Sequence, residues 1–179
     1  MKTELDVVRD VSQRLETAGF AYMLTGSMAM NYYAEPRMTR DIDLVVELLP
    51  KDVVTVIATF APDYYVSRDA VADSIRNESM FNLIHEETIL KVDCIVRKQA
   101  AYRRVEFARR ARVTIGDFST CIVSREDLIL SKLVWAKDSR SELQFRDITN
   151  LLKDEVDAAY LEEWALELGV ASLLAELRR

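Results

Sequence analysis

Three acidic residues set in two apolar runs carry the clearest chemistry in this sequence. Asp41 and Asp43 open the stretch Asp41-Ile42-Asp43-Leu44-Val45-Val46, which alternates and then turns wholly apolar, as a strand does. Side chains alternate across a strand, so the two carboxylates share one face while Ile42 points to the other. Like charges held so close are unfavourable unless a cation lies between them, and a hard divalent ion such as magnesium takes oxygen ligands of this kind. Asp93 is the one acid in a second apolar run, Ile89 to Val96, interrupted otherwise by Lys91 and Cys94. If that run lies beside the first, three carboxylates converge. Such a triad suits phosphoryl or nucleotidyl transfer, in which two metal ions about 4 Å apart bind the attacking and leaving oxygens. Asp93 would then also be the natural general base. Taken alone, the pair has a plainer reading as an acidic loop, and Asp93 as a strand-end residue.

A turn upstream adds to the case. Gly26-Ser27 follows the short apolar run Ala21 to Leu24 and precedes a helix expected at 28–34. Backbone N–H groups and the Ser27 hydroxyl at a helix N-terminus can hold a triphosphate, and glycine permits the close approach. A Gly-Ser turn is weak evidence by itself; the turn, the spacer 28–40 and the strand with two aspartates count together. Farther on, Lys132 interrupts a helix that is otherwise apolar nearly all round (Leu128, Ile129, Leu130, Leu133, Val134, Trp135). Its ammonium must reach solvent or meet an anion. A nucleotide phosphate and a structural pairing with Asp147 are both open readings.

The stretch LTGSMAMNYYAEPRMTRDIDLVV resembles the nucleotidyltransferase superfamily with the polymerase-beta-like fold, whose signature is Gly-Ser, a spacer of this length and a hydrophobic-flanked DxD. The resemblance covers roughly residues 20–96. It implies that Gly26 and Ser27 are the phosphate-holding turn, Asp41 and Asp43 metal ligands, and Asp93 the third carboxylate, with two magnesium ions as cofactors and a nucleoside triphosphate such as ATP as substrate. Thr39-Arg40 before DIDL, and the segment SREDLILSKLVWAKDSRSELQFRDITNLL, are similar to the small abortive-infection (AbiEii-like) group, which includes nucleotidyltransferase toxins. That likeness points to Lys132 as a nucleotide-binding residue, to the Arg146-Asp147 pair, and to Arg40 and Asp147 as supporting residues. It also raises an antitoxin partner.

The elements that must position these residues follow from patterning. Residues 3–18 read as an amphipathic helix with a Thr3/Asp6 capping box, stopped by Gly19. Strands are expected at 21–24, 41–46, 80–84 and 88–96, with His85-Glu86-Glu87 as a hairpin turn, and helices from Pro50 to about Phe60 and at 69–75 after Ser67. The stretch Arg97 to Arg112 carries seven Arg or Lys against one Glu and reads as a surface helix, followed by short strands near 112–115 and 119–123. Helices then fill 124–137, 141–152 and 157–177, the first with a Ser124/Asp127 capping box. The fold class expected is α/β, a nucleotidyltransferase-like fold with a central mixed β-sheet flanked by helices and a helical C-terminal part. Residues 1–179 form one domain in this reading, with a catalytic sheet at about 20–123 and the helical part at about 124–179.

Bulk properties bound the rest. A chain of 179 residues with 50% hydrophobic content can bury the core of one ordinary domain. With 30 acidic against 24 basic residues the formal charge is -6, so the overall field does not draw polyanions, and any RNA contact must use a local patch such as Arg97, Arg103, Arg104, Arg109, Arg110 and Arg112. A solvated helix face is the commoner meaning of such a run. Cys94 and Cys121 lie inside apolar runs and read as reduced core residues. No leader or membrane span is visible, and a bacterial-type cytoplasm fits the composition. His85, the one histidine, reads as a solvated turn residue. Tyr32 and Tyr33 could stack on a base, although core packing is the commoner role of such a pair.

The reading as a whole is a magnesium-dependent nucleotidyltransferase that moves a nucleoside monophosphate from NTP to an acceptor hydroxyl of RNA, protein or a small molecule, in the manner of a toxin or of a housekeeping or resistance enzyme. The alternative is a non-catalytic nucleotide-binding or antitoxin-like module of the same fold. Three crowded acids bring little to a site that only binds.

Overall fold

The computed structural model describes residues 2–178. Helix α1 (Glu4–Thr17) starts where Thr3 and Asp6 cap one another and buries Val7, Val8, Val11 and Leu15. Strand β1 (Tyr22–Thr25) is buried along its whole length and runs directly into α2 (Gly26–Tyr33). The chain returns as β2 (Ile42–Val46), then passes a 3-10 turn at Pro50–Asp52 into α3 (Val53–Phe60) and a two-residue strand β3 (Tyr64–Tyr65). Next come α4 (Arg68–Asn77), capped by Ser67, and the strands β4 (Met80–His85) and β5 (Lys91–Val96). Helix α5 (Ala101–Ala108), the hairpin β6 (Ala111–Ile115) and β7 (Phe118–Ile122), and helices α6 (Arg125–Ser139), α7 (Glu142–Leu151), α8 (Ala158–Glu167) and α9 (Ala171–Leu177) complete the fold.

The seven strands form one mixed sheet in the order β3-β4-β5-β2-β1-β7-β6. At its centre β2 runs antiparallel to β1 and parallel to β5, and β1 runs parallel to β7. Ile42, Leu44 and Val46 of β2 and Val92, Cys94 and Val96 of β5 are buried, whereas Asp43, Val45, Asp93 and Ile95 alternate with them and remain half-buried. That alternation gives the central strands one face closed in the core and one face open to a cleft. The Ser124-capped α6 buries Leu128, Ile129, Leu130 and Leu133, packs against α2, α7, α8 and α9, and so joins the C-terminal helices to the sheet. The α/β class, the mixed sheet and the helical C-terminal part expected from the sequence are all present. Among the described residues no helix is long and apolar enough to cross a membrane.

Several local expectations are corrected. Asp41 stands just before β2 rather than within it, because regular pairing begins at Ile42. The helix after the Gly-Ser turn starts at Gly26 itself. The basic segment 97–112 is helical over 101–108 alone. The helix expected at 157–177 is two helices, since Gly169 takes a positive φ of 66° and turns the chain between them. His85 is not a solvated turn residue: it ends β4 on the same face as buried Phe81 and Leu83, packs edge-on against Tyr64, and holds Thr88 through Nδ1 at 3.0 Å. Cys94 and Cys121 are free thiols, the first buried and the second half-buried.

Candidate active site

Strand register assembles the acidic group. Parallel pairing of β2 with β5 sets Asp43 opposite Asp93, and antiparallel pairing with β1 sets Thr25 opposite Asp43. Gly26 follows at once, with φ at 63°. A side chain here would be strained, and its Cβ would collide with the Asp43 carboxylate, standing 2.8 Å from Cγ. Glycine therefore lets the N-terminus of α2 sit directly against the acid. Thr25, Gly26, Ser27, Asp41, Asp43, Asp93 and Lys132 all line one cleft of about 600 Å³, between the open face of the central strands and helices α5, α6 and α7.

Electrostatics in the cleft are unbalanced on the acidic side. Burial first, and then the neighbouring charges of Asp93 and Asp41, push the Asp43 carboxyl up to about 6. One oxygen of Asp93 receives the Lys91 ammonium at 3.0 Å, while the other, Oδ1, is buried without a hydrogen-bond partner. An orphaned carboxylate oxygen beside a second crowded acid is the donor chemistry a hard divalent cation satisfies. Among the described residues no group of three or more His, Cys, Asp or Glu side chains is placed to hold a metal ion. Asp43 and Asp93 are adjacent across the strands, and Asp41 lines the same cleft from an exposed position. By donor chemistry the pair Asp43 and Asp93 fits a hard divalent ion, while Asp41 is not grouped with them into a three-ligand set.

The opposite wall carries Lys132. Asp147 on α7 is fully buried and accepts from Lys132 Nζ at 2.9 Å and from Arg37 Nε and Nη2 at 3.1 and 2.9 Å. Burial opposes its charge, but these two partners outweigh that and hold the Asp147 carboxyl below its usual range. Burial likewise lowers the pKa of Lys132, against the pull of Asp147. Lys132 also donates to Gln144 Oε1 at 3.0 Å, and Arg37 Nη2 reaches Ser27 Oγ at 2.8 Å. The structural pairing of Lys132 with Asp147 is present, and Lys132 also lines the cleft. Arg40 is exposed and lies outside the cleft; Arg37 is the arginine of that loop that reaches Ser27.

Sequence reasoning missed Arg37 and Gln144, whose roles arise from tertiary contact, and the local pairing of Lys91 with Asp93 two residues on, and it took Trp135 for one more apolar residue of α6. Trp135 is 68% exposed and lines the cleft. Tyr32 and Tyr33 lie elsewhere, the Tyr33 hydroxyl donating to the Val123 carbonyl at 2.8 Å. The basic segment divides. Arg97, Lys98 and Arg103 line the cleft, whereas Arg109 pairs with Asp127 and Glu126, and Arg112 with Glu16.

No protein-family model and no curated protein matches the sequence. Solved structures do match. An antigenic nucleotidyltransferase-like protein from Paracoccidioides brasiliensis is 17% identical over 98% of this chain and 88% of its own, with a TM-score of 0.69. The fold is nucleotidyltransferase-like. The antibiotic-resistance factor ANT(2'')-Ia shares it at 14% identity over 97% of this chain and 96% of its own, with a TM-score of 0.62. The lincosamide antibiotic adenylyltransferase LnuA, solved with lincomycin bound, matches at 17% identity over 86% and 97%, with a TM-score of 0.56. On this nucleotidyltransferase-like fold the acidic strands, the Gly26 turn and Lys132 line a single cleft.

Proposed function

We propose that the chain is a magnesium-dependent nucleotidyltransferase, moving a nucleoside monophosphate from an NTP such as ATP to an acceptor hydroxyl with loss of pyrophosphate. The observation that carries this reading is the in-register pair Asp43 and Asp93 beside the Gly26 turn. Asp41, Asp43 and Asp93 would hold two magnesium ions, which when bound supply charge neutralisation for the phosphoryl oxygens. The N–H groups at the start of α2 and the Ser27 hydroxyl hold the triphosphate, with Lys132 as a cation lining the same cleft and Arg37 bonded to Ser27 Oγ. Asp93 accepts the proton of the acceptor hydroxyl. That oxygen forms a bond to the α-phosphorus as the bond to pyrophosphate breaks.

A purely binding module would keep this acidic crowding at a cost in stability with no return, which favours the enzyme reading over a non-catalytic or antitoxin-like one. The test is transfer from an α-labelled NTP in magnesium, with pyrophosphate release as a second readout. Asp41→Asn and Asp43→Asn are expected to lose both, and full activity in Asp41→Asn would overturn the assignment. An acceptor bearing phosphates, RNA included, is supported by Arg97, Lys98 and Arg103 in the cleft, and a toxin role with an antitoxin partner remains part of this proposal. Growth arrest on expressing the chain alone, relieved by Asp43→Ala, is the outcome that role predicts.

A further inference from the structure

Trp135 is the one large aromatic ring that opens onto the cleft among the described residues. Two-thirds of it is exposed, although every other apolar residue named on α6 is buried or half-buried. Leu128, Ser131, Lys132 and Trp135 line the cleft together, at the i, i+3, i+4 and i+7 spacing that puts them on one face of the helix. Trp135 therefore follows the cation of the phosphate wall by about one helical turn, roughly 5 Å along the axis. Burying so large a ring is favourable, and the fold leaves this one open, with half-exposed Met80 also at the cleft wall.

We infer that Trp135 is the platform on which the base of the bound nucleotide stacks; the inference rests on the nucleotidyltransferase reading of the cleft. Position decides between the base and the acceptor. In that reading the triphosphate lies on Ser27 and Lys132, which line the cleft, so the rest of the nucleotide continues along the α6 wall. The acceptor must approach Asp93, which belongs to the β5 wall with Lys91, Ile95 and Arg97. A ring face carries no hydrogen-bond code, so Trp135 favours the larger stacking surface of purines without reading a particular base edge.

Titration calorimetry with magnesium, using a non-hydrolysable ATP analogue and inorganic tripolyphosphate, separates base from phosphate binding. Trp135→Ala is expected to weaken the nucleotide about 5- to 150-fold, the range of aromatic stacking on a base, and to leave tripolyphosphate unchanged, while Trp135→Phe keeps most of the nucleotide affinity. Unchanged nucleotide affinity in Trp135→Ala overturns the inference, as does an equal loss for both ligands, which would mark a structural role. If nucleotide binding is unchanged but the KM for acceptor rises, the ring serves the acceptor and the inference is likewise wrong. If the native protein binds neither ligand, the phosphate-site reading fails and the platform falls with it.

Discussion

Asp147 holds two cations from inside the protein, Lys132 from its own wall and Arg37 from the loop before β2. Those partners keep its carboxyl below the usual range, so the folded protein releases the Asp147 proton more readily than the unfolded chain does. The stabilisation is complete above the ordinary carboxylate pKa and is lost as pH falls through the lower folded value. Asp147→Asn leaves Lys132 buried without its anion and is predicted to cost about 3 kcal/mol at pH 7, the lower end for breaking a buried pair because Arg37 keeps some access to water. Urea denaturation should show the gap narrowing below about pH 4; an equal gap at both ends would contradict this account. That Asp43, Asp93 and Lys132 come to one cleft was legible because each breaks a local pattern, an acid in an apolar strand or a lysine in an apolar helix; Asp41 and the Gly26-Ser27 turn were legible from their neighbours in sequence. Arg37 and Gln144 break no pattern, and only the folded chain brings Arg37 to Asp147.

Element geometry places the Gly26 turn against the acids. Thr25 pairs with Asp43, and the next residue must turn left-handed into α2 in space already taken by the Asp43 carboxylate. Gly26→Ala is predicted to destabilise the fold by about 1–3 kcal/mol through the strained φ, and further by displacing Asp43. Thermal melting measures the first effect. Magnesium titration should show at least a tenfold loss of affinity; unaltered magnesium binding in a folded Gly26→Ala protein would mean that the turn does not position the acid. The sequence showed a turn here but not why glycine is required, since the collision is with a residue of another strand. His85 and Trp135 were misplaced for a related reason. A histidine at the end of a period-2 run reads as a turn, and an apolar residue on an all-apolar helix reads as core, until neighbouring elements show which faces are covered.

Across the whole molecule, the cleft exists because the chain leaves β2, builds α3, β3, α4 and β4, and returns as β5 parallel to β2. Nothing local in the sequence fixes that order, although the crossover length allows it. The second wall comes from the C-terminal helices, which carry Lys132, Gln144 and Asp147 and bury Leu128, Ile129, Leu133 and Ile148 in the common core. Sheet and helices are therefore predicted to unfold together. Circular dichroism and tryptophan fluorescence should trace one coincident urea transition, whereas two separated transitions would show that the catalytic sheet and the helical part are independent units.

If the crowded carboxylates hold metal-bound nucleotide, calorimetric titration of ATP, GTP, CTP and UTP with and without magnesium will show it. At least one triphosphate is predicted to bind the native protein in magnesium, to lose that binding in chelator, and to lose it again in the Asp41→Ala/Asp43→Ala variant. Binding that is equally tight without magnesium, or that survives in the variant, would contradict the account.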